Sequence, residues 1–111
     1  MRPLAPKLRT LSLANNLLAE LPPFLAECAS LKSLDVSHNS LRDLPPPMGK
    51  LPKLEYLNMG ANLLERVPAC VLQMSHLKEV ILAGNRLSEL PLALCELPRL
   101  DVLDVSGNQI K

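Results

Sequence analysis

A chain of 111 residues is long enough for one domain with its own interior, and its formal net charge of +1 gives it no field for nucleic acid or an acidic membrane surface. Hydrophobic residues make up 48% of the chain, yet the only aromatics are Phe24 and Tyr56, so the interior must be aliphatic. No run approaches the roughly 20 apolar residues that span a bilayer. The opening Met1–Lys7 has no signal-peptide core, and Arg2 stands where a myristoyl anchor would need glycine.

After the short lead (1–7), a string begins at Leu8: Leu8, Leu11, Leu13, Asn16, Leu18, Leu21, then Pro22. It returns from 31 as Leu31, Leu34, Val36, Asn39, Leu41, Leu44 and Pro45. From 54 it reads Leu54, Leu57, Met59, Asn62, Leu64, Val67 and Pro68, and from 77 it reads Leu77, Val80, Leu82, Asn85, Leu87, Leu90 and Pro91. The last copy has Leu100, Leu103, Val105, Asn108 and Ile110 before Lys111. Every start lies 23 residues after the one before, with no insertion, which divides one domain (1–111) into repeats 8–30, 31–53, 54–76, 77–99 and a partial 100–111.

Within each repeat the chemistry dictates three parts in order. Thr10–Leu13, Ser33–Val36, Tyr56–Met59, Glu79–Leu82 and Val102–Val105 alternate with period two, the mark of half-buried strands, and equal spacing lets them lie parallel. The ladder Asn16, Asn39, Asn62, Asn85 and Asn108 follows. There the chain turns inside the coil, and an amide side chain can serve buried backbone groups of neighbouring turns at once. The remainder places apolar residues at Leu25 and Cys28, Met48 and Leu51, Val71 and Met74, Leu94 and Leu97. This spacing behind a Pro predicts short 3₁₀ or irregular turns rather than long helices. Pro45, Pro46 and Pro47 are expected to be extended, with Gly49 in a turn. Narrow convex turns opposite wider strands should bend the stack, with the strands on the concave side.

The motif Leu-x-x-Leu-x-Leu-x-x-Asn-x-Leu matches the leucine-rich-repeat signature over residues 8 to 111. Its Leu-Pro-x-x-Leu form resembles the intracellular leucine-rich-repeat proteins of the Ras-suppressor, Scribble and Erbin type. The likeness shows in Leu8-Arg9-Thr10, Leu21-Pro22-Pro23, Leu31-Lys32-Ser33-Leu34, Leu100-Asp101-Val102-Leu103-Asp104 and Asn108-Gln109-Ile110. It implies an α/β solenoid that binds proteins; a small GTPase or a phosphatase would be the partner by analogy. The cysteines Cys28, Cys70 and Cys95 are odd in number and lack a Cys-x-x-Cys, which suits free thiols in a reducing, cytoplasmic compartment; the alternative is a secreted repeat protein stripped of its disulfide caps. Cys28 falls on a core position, whereas Cys70 and Cys95 fall on variable convex ones.

Residues for chemistry are not assembled by this pattern. His38 and His76 occupy different repeat positions with no ligand-spaced neighbours, and no phosphate loop or nucleophile motif occurs. Asp35 and Asp104 share a position but stand three coils apart, roughly 14 Å at about 4.8 Å per strand, too far for paired-carboxylate work. No enzyme activity, metal or cofactor is expected. The concave face remains. One row runs Thr10, Ser33, Tyr56, Glu79, Val102; the next runs Ser12, Asp35, Asn58, Ile81, Asp104. Along the rim stand Arg9, Lys32, Glu55, Lys78 and Asp101, and past the strands lie the small residues Ala14, Ser37, Gly60, Ala83 and Ser106. Tyr56, Ile81 and Val102 are apolar or aromatic on an otherwise polar face, which marks an interaction site. With Asp35, Asn58, Glu79, Asp104, Lys32 and Lys78 they form the expected protein-binding set. Two alternatives stand beside this reading: the three stiffen the sheet by cross-strand packing, or the chain is a structural or truncated repeat block with no ligand of its own.

The ends are expected to be exposed. Met1–Lys7 is too short for a helix or hairpin over Leu8, Leu11 and Leu13, and the fifth repeat stops before its convex half. Leu100, Leu103, Val105 and Ile110 would then present an open face through which chains self-associate.

Overall fold

The alternation in each repeat yields one three-residue strand: β1 (Thr10–Ser12), β2 (Ser33–Asp35), β3 (Tyr56–Asn58), β4 (Glu79–Ile81) and β5 (Val102–Asp104). In the computed structural model, which describes residues 7–111, these pair in parallel in the order β1-β2-β3-β4-β5. The register never slips. Leu11 faces Leu34, Leu34 faces Leu57, Leu57 faces Val80, and Val80 faces Leu103. Pairing continues one residue past each strand, where Leu13 donates to the Asp35 carbonyl at 2.8 Å and Leu82 to that of Asp104 at 2.7 Å. The strand signal at Leu13, Val36, Met59 and Leu82 is accounted for by these bonds. The result is a curved solenoid of 43 × 32 × 19 Å.

Inside the coils the apolar positions stack on their equivalents. Leu31, Leu34, Val36 and Leu41, with their counterparts in the third and fourth coils, are all buried. Leu25, Met48, Val71 and Leu94 close the same interior from the convex side. Each fully buried leucine contributes roughly 1.5–3 kcal/mol before entropy is counted, and no coil could gain this alone.

The convex elements are Pro23–Glu27, Pro46–Lys50 and Ala69–Gln73, each a five-residue 3₁₀ helix, and α1 (Leu92–Cys95), a single α-helical turn. The prolines correct one expectation. Pro45 is extended, with φ −58° and ψ 129°, but Pro46, Pro47 and Gly49 lie within the second 3₁₀ helix. The first turn of a helix needs no N–H donor, so prolines there lose nothing and arrive with φ already set. Cys70 lies in the third 3₁₀ helix, on the convex side where its repeat position puts it, and is buried there, whereas Cys95 is exposed.

The asparagine ladder runs inside the stack as a set of inter-coil clamps. The Asn62 amide donates to the carbonyls of Met59 and Gly60 in its own coil and to that of Val36 in the coil before. Its oxygen accepts from the Leu41 N–H at 3.0 Å. Asn39, Asn85 and Asn108 repeat the arrangement. Asn16 does not: it is exposed and, among the described residues, donates only to Leu13 and Ala14 of its own turn. The lead, expected to leave the first coil uncovered, falls outside the described residues except for Lys7. At the other end Leu100, Leu103 and Val105 are half-buried, and Ile110 is 38% exposed.

A feature invisible to the hydrophobic pattern recurs just before each Asn. Asn15, His38 and Ala61 have φ of 61°, 56° and 54°, and Gly84 and Gly107 have 70° and 67°. Every coil therefore turns through the left-handed region at the same place, which keeps the Asn side chain aimed inward.

Candidate functional site

Parallel register sets the concave rows side by side. Thr10, Ser33, Tyr56, Glu79 and Val102 form one row across the sheet, and Ser12, Asp35, Asn58, Ile81 and Asp104 the other. Tyr56 and Ile81 are half-buried, and Val102 is 43% exposed. These three do not stack in one column. Glu79 stands between Tyr56 and Val102, while Ile81 lies between Asn58 and Asp104, diagonal to both. The phenol oxygen of Tyr56 accepts from the Asn58 amide at 3.3 Å, so the ring lies along its own strand.

The second row has a structural duty that the sequence reading missed. Asp35 accepts from the N–H and hydroxyl of Ser37 at 3.0 and 2.7 Å, and Asp104 does the same for Ser106 at the same distances. Asn58 accepts from the Gly60 N–H at 2.9 Å. Ser12 makes the weaker 3.5 Å version with Ala14. These side chains close the turn that carries the chain off the strand. The two hydrogen bonds from Ser106 favour ionised Asp104 and hold its carboxyl below the usual aspartate range. In the fourth coil the position is Ile81, which can close nothing.

Beyond the strands the small residues do make a floor. A shallow depression of about 320 Å³ is lined by Ser37, His38, Asn58, Gly60, Ile81 and Ala83, among others. A side chain at position 60 would meet the Asn58 Oδ1 at 3.2 Å and the Ala83 carbonyl at 3.3 Å, so glycine keeps this floor open. Of the rim residues, Lys78 reaches Glu55 at 3.8 Å, a solvent-exposed pair of little energetic weight. Lys32 is exposed. A larger groove of about 820 Å³ lies on the flank between the first two coils, walled by Leu21, Pro22, Pro23, Leu44 and Pro45–Pro47. Nothing in the repeat pattern singled it out. Among the described residues no group of three or more His, Cys, Asp or Glu could hold a metal ion, and no helix is long and apolar enough to cross a membrane.

Stacked parallel strands, 3₁₀ turns opposite them and an internal asparagine ladder define a leucine-rich-repeat solenoid. The chain belongs to the leucine-rich-repeat family: one family model, described as leucine rich repeat, matches residues 6–64, more than half of it, and a second, also leucine rich repeat, matches residues 76–97. It is similar to a leucine-rich-repeat protein of Leptospira interrogans (31% identity, TM-score 0.85), with 91% of this chain and 26% of that one covered. It is similar also to an internalin of Listeria monocytogenes at 28% identity and TM-score 0.84, covering 96% of this chain and 31% of that one. The ectodomain of the receptor kinase SOBIR1 from Arabidopsis thaliana shares the fold (24% identity, TM-score 0.73), over 92% of this chain and 58% of that one. The chain thus spans about a quarter to three-fifths of the length of these structures. No curated protein matches it.

Proposed function

We propose that the chain is a protein-binding scaffold whose concave sheet is the contact surface. The observation that carries this is the open floor at Gly60 and Ala83, flanked by Ile81 and Asn58 on a face whose other residues are largely polar. A solenoid offers such a face as one continuous surface, and apolar groups ringed by polar ones make good anchors there. Tyr56, Ile81 and Val102 would supply the anchors, with Glu79, Lys32 and Lys78 setting orientation. Asp35, Asn58 and Asp104 would serve mainly by holding the turns in place.

The Leu-Pro-x-x-Leu form supports placing the chain beside intracellular repeat proteins such as leucine-rich repeat-containing protein 57. A small GTPase or phosphatase is the partner class that this kinship suggests, on the analogy of fold alone. Three free thiols, two of them buried, suit a cytoplasmic setting. The test is a pull-down from cytosol with the wild-type chain, Tyr56→Ser and Ile81→Ser. Partners retained by wild type and lost by both variants support the reading. A list unchanged by either substitution overturns it.

A further inference from the structure

The fourth coil breaks the rule that the other four obey at the end of the strand. In those, the N–H two residues on is accepted by a side chain: Ala14 by Ser12, Ser37 by Asp35, Gly60 by Asn58, Ser106 by Asp104. With Ile81 in that position, the Ala83 N–H has no acceptor among the described residues, backbone or side chain. Its carbonyl is in use, accepting from Ala61 at 2.8 Å. The unpaired donor belongs to a half-buried residue that lines the depression beside Ile81. A local turn bond has thus been exchanged for an aliphatic side chain and an open donor side by side on the concave face.

Within the two concave rows the charges are of one sign. Asp35, Glu79 and Asp104 are the charged residues of the two concave rows, and neither row contains a lysine or arginine. Lys78 on the rim pairs only loosely with Glu55, and the charged side chains beside Ile81 in the rows are Glu79 on its own strand and Asp104 on the next. An acidic field disfavours a carboxylate as the incoming acceptor and favours a neutral carbonyl with cations to either side. Deepening the concave-face reading, on which this rests, we infer that Ile81 and the Ala83 N–H are the recognition centre for a basic, extended segment of a partner protein. A backbone carbonyl of that segment accepts from Ala83, an aliphatic side chain covers Ile81, and lysines or arginines flank them opposite Glu79 and Asp104.

The experiment is an amide NMR titration of the full chain with a blocked peptide, acetyl-Lys-Lys-Leu-Lys-Lys-amide, and its glutamate counterpart. In the free protein the Ala83 amide should exchange faster than those of Ser37 and Gly60, its equivalents in the two preceding coils. The lysine peptide should shift it and slow its exchange, and the glutamate peptide should not. Ile81→Asn, which restores the side-chain acceptor present in the third coil, should abolish the response, and Ile81→Val should keep it. Equal response to both peptides, or an unchanged response in Ile81→Asn, overturns the inference. So does a response at Tyr56, Glu79 and Val102 that bypasses Ala83, though this would leave the concave-face reading standing. Silence across the whole sheet overturns it too, and the pull-down then decides the broader reading separately.

Discussion

Ala61 holds a φ of 54°, a conformation that glycine adopts freely and a Cβ disfavours. Its equivalents in the next two coils are Gly84 and Gly107, and in the first coil Asn15, a residue that tolerates this region. Ala61→Gly should therefore stabilise the fold by about 0.5–1 kcal/mol, the relief of strain outweighing the extra freedom of the unfolded chain. A lower denaturation midpoint would contradict that account. A second residue bears on stability in alkali. Burial, reinforced by the charge of Asp43, pushes the Cys70 thiol up to about 11 from its usual 9. An acid harder to ionise when folded contributes stability that is fully present below pH 9 and is lost as pH rises from 9 through 11. Denaturation midpoints should fall across that range, and Cys70→Ala should make the fall shallower. An identical slope in the variant would rule out Cys70 as its source.

Among the elements, the asparagine turns bear the heaviest polar load. Replacing Asn62 by Leu leaves the Leu41 N–H and the carbonyls of Val36, Met59 and Gly60 without that partner, so a loss of about 1–3 kcal/mol is expected. Asn16→Leu should cost well under half as much, since Asn16 is exposed and, among the described residues, serves only its own turn. Equal losses from the two in urea unfolding would sink the ladder as an inter-coil clamp. The strands, the ladder and the inward Leu25, Met48, Val71 and Leu94 were legible because they repeat every 23 residues as apolar or amide side chains. The left-handed position was not, because Asn15, His38, Ala61, Gly84 and Gly107 share a backbone angle and no side-chain chemistry. Asp35 and Asp104 read as binding residues because an exposed carboxylate signals recognition; their turn-closing bonds to Ser37 and Ser106 show only in three dimensions. Cys70 read as variable because its equivalents Phe24, Pro47 and Ala93 share no side-chain chemistry; its burial in the third 3₁₀ helix shows only in three dimensions.

Across the whole molecule burial grades from the middle outward. Leu34, Leu57 and Val80 are fully buried, whereas their counterparts Leu11 and Leu103 are half-buried. Opening free energies in a linear array follow the neighbours each unit has. In the 111-residue chain, hydrogen exchange should accordingly be fastest at residues 100–111 and slowest around Leu34 and Leu57. Sedimentation should show self-association at high concentration through the outer face of β5, where Leu103 and Val105 are incompletely covered. A monomer at millimolar concentration, with Val105 protected as well as Leu57, would contradict both expectations.

The asparagine clamps all point the same way along the chain. Leu18 is held by Asn39, Leu41 by Asn62, Leu64 by Asn85 and Leu87 by Asn108, so each coil receives its last hydrogen bond from the coil that comes after it. On a ribosome, synthesis runs in that same direction. A newly made coil can stack its leucines on those already out, but its inner turn stays open until about one further repeat has emerged. Each of these leucine N–H groups therefore meets its asparagine acceptor only once 21 further residues have been made.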